Sequence, residues 1–79
     1  MKTYALWEIQ THNLVESFDS ERDALVLVWD NIEHNGPMIA ETLALNVEDE
    51  TGEIHFIASG QELVERARRE LANSSRLSG

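Results

Sequence analysis

The 79 residues are 42% apolar and 27% charged, with 15 acidic side chains against 6 basic ones and a formal net charge of -9. A chain this short holds one thin core, which excludes a second domain or a deep cleft between lobes, and its apolar share is too high for an intrinsically disordered segment. The absence of cysteine excludes disulfides, zinc knuckles, thiol nucleophiles and iron–sulfur ligation.

Met1-Lys2-Thr3 runs directly into an alternating stretch, without the apolar core and cleavage site of a secretory leader, so a cytoplasmic location is expected. From Tyr4 to Gln10, Ala5, Trp7 and Ile9 alternate with Tyr4, Leu6 and Glu8, and Thr11-His12-Asn13 supplies turn chemistry before Leu14–Phe18. This pattern predicts a β-hairpin. Asp19 and Ser20 then offer helix caps, and Leu25, Val28, Trp29 and Ile32 recur at helical spacing until Asn35-Gly36-Pro37 ends the run. In the second half Leu43, Leu45 and Val47 alternate with Thr42, Ala44 and Asn46, and Asp49-Glu50-Thr51-Gly52 forms a hairpin loop. Alternation then predicts that Ile54, Phe56 and Ala58 share one face. Ser59 with Glu62 reads as a capping box, and Leu63, Val64, Ala67 and Leu71 form the apolar stripe of a second helix. Small polar residues from Asn73 onward are expected to fray, giving one domain over 1–72 and a flexible tail over 73–79.

The predicted order is ββαββα, an α+β fold with a four-stranded antiparallel sheet and both helices on one face. A shift of 39 residues aligns Ala5-Leu6 with Ala44-Leu45, Ser20 with Ser59 and Ile32 with Leu71, a thin identity that either a ββα pseudo-repeat or two independent ββα units of ordinary length produces.

Ala24-Leu25-Val26-Leu27-Val28-Trp29 is six apolar residues in a row, and at 100° per residue Leu27 points nearly opposite Leu25. A single sheet shelters one stripe of such a helix, which leaves Leu27 and part of Val26 needing a cover. The first strand is likewise apolar on both faces. A homodimer burying Val26, Leu27, Trp29 and Trp7 meets both needs; the competing arrangement packs the second helix across the first and hides Leu27 within the protomer.

Residues 1–60 hold 12 acidic side chains and only Lys2 and Arg22 as cations, a balance that repels phosphate backbones and favours a basic protein partner. Neither nucleic acid nor a membrane is an expected partner: no run nears the roughly 18 apolar residues of a spanning helix. The arginines of the second helix are expected to pair with its own acids, Glu62 with Arg66 and Glu65 with Arg69. His12, His34 and His55 are too far apart to place two imidazoles on one face, and the acidic loop around Asp49 lacks the EF-hand ligand series, so neither a metal nor a cofactor is expected. No serine sits in a nucleophile elbow and no glycine-rich phosphate loop is present, so no catalytic residue is assigned and the chain does not read as an enzyme. Trp7, Trp29 and Phe56 are the candidates for lining a small-ligand pocket between helix and sheet, the alternative reading of a sensor or accessory enzyme subunit.

The segments Tyr4-Ala5-Leu6-Trp7-Glu8, Asp19–Leu25, and Leu43-Ala44-Leu45 through Glu48-Asp49 to Ile57-Ala58-Ser59-Gly60 together resemble a group of short bacterial α+β proteins of unassigned function. The likeness implies the fold and no activity. Ser17–Leu25 is also loosely similar to the strand-to-helix junction of HicB-type antitoxins, although two predicted strands precede the helix here where that family has three. The expected function is a non-catalytic interaction or regulatory module that dimerises. An acidic inhibitor, acting as an antitoxin or a nucleic-acid mimic, is the third reading.

Overall fold

Strand-period alternation builds two hairpins that join edge to edge. β1 (Thr3–Glu8), β2 (Asn13–Phe18), β3 (Leu43–Glu48) and β4 (Ile54–Ser59) form one sheet in the order β2-β1-β3-β4, every neighbour antiparallel. α1 (Glu21–Asn35) follows the first hairpin, a 3-10 turn (Pro37–Thr42) leads to β3, and α2 (Gly60–Ser78) follows the second hairpin. This computed structural model describes the backbone of residues 2–78 and the side chains of residues 2–72; the tail expected at 73–79 lies outside those side chains. The architecture is the α+β arrangement that the pattern predicts, with two helices that touch each other and the strands.

Local chemistry sets the helix ends. Ser20 caps α1, its Oγ accepting the Asp23 N–H at 3.2 Å, which satisfies one of the orphan donors of the first turn. Gly36 closes α1 by donating its N–H to the Ile32 carbonyl at 2.7 Å, with φ at +88° and ψ at 162°, backbone that a side chain rarely allows. The chain enters α2 through Gly60 at φ +57°, which makes the second strand-to-helix junction abrupt.

The core lies between the sheet and the helices. Leu6, Leu43, Leu45 and Ala58 rise from the strands and meet Leu25 and Val28 of α1 and Leu63 and Ala67 of α2, all of them buried. Two expectations change here. Leu27 is half-buried and packs against this core, because α1 is met by α2 and the 3-10 turn as well as by the sheet; only Val26 stays exposed, at 43%. Phe56 and Ile54 do not share a face with Ala58. β4 bulges at Ile57, so Ala58 opposes Leu45 whereas Phe56 opposes Asn46, and the extra residue turns the first half of the strand over.

The bulge has a twin. Glu16 opposes Leu6 and Leu14 opposes Trp7, which leaves Val15 as the extra residue of β2. Leu6 pairs directly with Leu45, its counterpart at the 39-residue shift, and Ala5–Asn46 and Trp7–Ala44 flank that pair symmetrically. A local two-fold therefore runs through the Leu6–Leu45 pair and relates the hairpins, bulges included.

Candidate functional site

The face of the sheet turned away from the helices is the candidate surface. Directly opposed residues on neighbouring strands point the same way, so the pairings give this face in rows. The first row reads Leu14, Trp7, Ala44, Ser59 from β2 to β4; the second reads Ser17, Ala5, Asn46, Phe56; the third is Thr3, Glu48, Ile54. Among these eleven residues Glu48 alone is ionisable, on a chain whose net charge is -9. Phe56 and Ile54 are each 63% exposed and Leu14 is 47% exposed, so no described element covers the face. Contiguous apolar area of this kind on a sheet marks a contact surface.

The sequence-predicted interface residues divide between two places. Trp7 stands at the centre of the open face, half-buried between its cross-strand neighbours Leu14 and Ala44. Val26, Leu27 and Trp29 belong to α1 on the other side of the sheet, where Leu27 and Trp29 pack against the core. The pocket expected between helix and sheet from Trp7, Trp29 and Phe56 is not formed by them: Trp7 and Phe56 occupy the open face and Trp29 the helix layer. Phe56 joins Trp7 on the open surface only because of the bulge at Ile57, which simple alternation does not reveal.

A second constellation gathers at the β3–β4 loop. Asp49 Oδ1 accepts the Thr51 N–H at 2.9 Å, the Thr51 hydroxyl at 2.6 Å and the Glu53 N–H at 3.1 Å, while Oδ2 lies 3.1 Å from His55 Nε2. The Thr51 hydroxyl, then His55, then the backbone donors hold the Asp49 carboxyl well below the usual carboxylate range. Ligand atoms of Asp49, Glu53 and His55 come within 4.8 Å of one another. Scanning the histidines only against each other misses this group; the hairpin register, which brings strand residue 55 back beside loop residue 49, is the signal that finds it. The hairpin's own donors already engage Asp49, so the arrangement organises the loop.

The helices carry a third. Arg66 Nε donates to Glu21 Oε2 at 2.7 Å, tying α2 to the first turn of α1, and this carboxylate raises the Arg66 pKa. The expected pairing of Arg66 with Glu62 gives way to this longer-range one, while Arg68 approaches Glu65 at 4.0 Å. Glu21, Leu25, Arg66, Arg69 and Glu70 line a shallow cleft of about 350 Å³ with its charges of both signs side by side. His34, in the last turn of α1, has its pKa raised first by the Asp30 carbonyl at 2.8 Å and then by the Asp30 carboxylate. His12 takes φ +60° in the β1–β2 turn.

No helix among the described residues is long and apolar enough to cross a membrane. Comparison with known protein families, with curated proteins and with solved structures finds no match for this chain. The functional reading therefore rests on the geometry of the open face.

Proposed function

We propose that this chain is a non-catalytic protein-interaction module whose working surface is the open face of its sheet. The observation that carries the reading is the contrast in charge: ten of eleven residues on this face are neutral, and three large apolar side chains stand out from it, although acids outnumber bases 15 to 6 in the chain. A surface kept only for solubility is charged and mixed. Water-exposed Phe56, Ile54 and Leu14 gain from an apolar partner by the ordinary hydrophobic effect.

Affinity capture from the native host tests this with two point variants. Phe56→Glu, on the open face, is expected to lose the partner that the unaltered chain retains, while Val26→Glu, exposed on α1, keeps it. Loss with Val26→Glu and retention with Phe56→Glu moves the working surface to the helix side and refutes the proposal. The acidic remainder of the surface supports a second reading, capture of a basic protein. Salt separates the two, because screening beyond about 10 Å at 0.1 M weakens charge pairing and leaves apolar contact intact.

A further inference from the structure

We infer that the occupant of the open face is a second copy of this chain, packed sheet against sheet about a two-fold axis that runs parallel to the strands between β1 and β3. The inference rests on the reading of that face as a contact surface and names its partner. Its ground is the order of large and small side chains along the rows. Rotation about such an axis lays each row on itself in reverse, so that β1 of one copy meets β3 of the other and β2 meets β4. In the first row, Leu14, Trp7, Ala44, Ser59, this sets Trp7 over the second copy's alanine at 44 and Leu14 over its serine at 59. In the second row the large residue stands at the other end, and Phe56 falls over the serine at 17. Large meets small for Trp7, Leu14 and Phe56, as facing sheets about 10 Å apart require for their side chains to interdigitate, while Ile54 falls past the end of the second copy's β2.

Charge follows the same pattern. Glu48, the one ionisable residue of these rows, meets the threonine at 3 of the second copy and not its own image, so like charges are not opposed and a hydroxyl is available to the carboxylate. The remaining acids lie beyond the face, where solvent screens them. A basic partner finds one carboxylate here to pair with, whereas a second copy brings the same neutral surface.

Area also selects a partner as broad as the sheet. Six-residue strands at about 3.3 Å per residue and four strands at about 4.8 Å spacing give a footprint of roughly 400 Å² per copy, before corrugation adds to it. Two such faces come to about 800 Å², which corrugation and the exposed Ile9 at the margin raise towards the lower bound of about 1,000 Å² that specific interfaces need, whereas a single helix covering half the face stays far below it. The dimer is therefore expected to be concentration-dependent.

Sedimentation equilibrium of the full chain between about 1 and 100 µM reads this directly. The expected result is a mass rising from the 9.0 kDa of one chain towards twice that value. Phe56→Glu and Ser17→Phe should each weaken association about tenfold or more, the first by placing charge in the contact and the second by setting bulk against bulk. The double variant Ser17→Phe with Phe56→Ser restores it. These two positions sit on opposite edge strands, about 14 Å apart at three strand spacings, so rescue reports a contact between copies and not within one. Far-UV circular dichroism checks that each variant is folded; Phe56 is exposed, so Phe56→Glu decides the matter if Ser17→Phe does not fold. A mass fixed at 9.0 kDa throughout overturns the inference, as does a dimer that both single variants leave intact. Should the chain stay monomeric while Phe56→Glu still abolishes capture of a different protein, the contact-surface reading stands and the second copy falls.

Discussion

The two faces of the sheet are built from the same kinds of residue and meet different fates. On one, the row Glu16, Leu6, Leu45, Ala58 lies under the helices, and Leu6, Leu45 and Ala58 are wholly buried. On the other, the adjacent row Leu14, Trp7, Ala44, Ser59 has no cover within the described chain. Sheets solvated on one side normally turn polar there. This one carries Leu14, Trp7, Phe56 and Ile54 on its uncovered face among neutral residues and a single carboxylate, yet supplies helices only for the other, which is the physical content of the proposed interaction surface.

The largest expected effect sharpens that contrast. Leu45→Ala removes a fully buried side chain at the centre of the covered face, where the neighbours can close the cavity only in part. It should cost about 2 to 5 kcal/mol, a large share of the stability of so small a domain. Phe56→Ser, on the open face, should shift unfolding by no more than about 0.5 kcal/mol when the protein is dilute enough to be monomeric. Urea titration of both variants makes the comparison, and equal losses would show that the open face is covered in solution by the chain itself.

Much of this contrast is legible in the sequence. Alternation in Tyr4–Gln10 and Thr42–Val47 places Leu6, Leu43 and Leu45 opposite Trp7 and Ala44, and the caps at Ser20 and Gly36 fix the ends of α1. Three features are not legible, for identifiable reasons. A bulge is a single inserted residue with no composition of its own, so Ile57 silently moves Phe56 to the opposite face. The 3-10 turn Pro37–Thr42 is too short to carry a period, and with it is lost part of the cover over α1 that draws Leu27 against the core. The Glu21–Arg66 pair spans 45 residues, and spacing rules reach only one helical turn.

That short turn supplies the second test, aimed at the covered side. Gly36 stands at φ +88° and ψ 162°, and a Cβ added there meets nothing within 4 Å. Gly36→Ala should therefore lose about 1 to 3 kcal/mol from backbone strain alone. The helix cover should loosen first, with Ile39 and Ala40 losing their seat on the core before the hairpins separate. Hydrogen exchange resolves this order: faster exchange at the end of α1 and in the turn, with β1 and β3 unchanged, is the expected result.

A smaller effect is expected from the tie between the helices. The carboxylate of Glu21 and the guanidinium of Arg66 are 31% and 41% exposed, so solvent screens their 2.7 Å contact and a double-mutant cycle should assign it only about 0.5 to 1 kcal/mol. The coupling should fall further in 1 M salt, where the Debye length is about 3 Å. A coupling that salt leaves unchanged would show that the pair works through packing of the arginine stem and not through charge.

The smallest effect belongs to the β3–β4 loop, at the rim where the two faces meet. The folded chain holds the Asp49 carboxyl below its ordinary pKa, so it binds a proton there less readily than the unfolded chain does. The stability this contributes is complete above the unfolded value of about 3.9 and is lost as the pH falls through the lower folded value. Asp49→Asn keeps an acceptor for the Thr51 and Glu53 amides but removes the charge and the Oδ2 partner of His55. At neutral pH the variant should exchange the amides of Thr51 and Glu53 faster than the unaltered chain, and the gap should narrow steadily below pH about 4, where the opened loop takes up a proton that the folded carboxylate, with its lowered pKa, still refuses. A gap that stays constant down to pH about 2 would show that the acceptor geometry alone, and not the charge, holds the hairpin loop. In either outcome the rows of the open face should be undisturbed, because the loop lies beyond the Glu48–Ile54 pair at the end of the sheet.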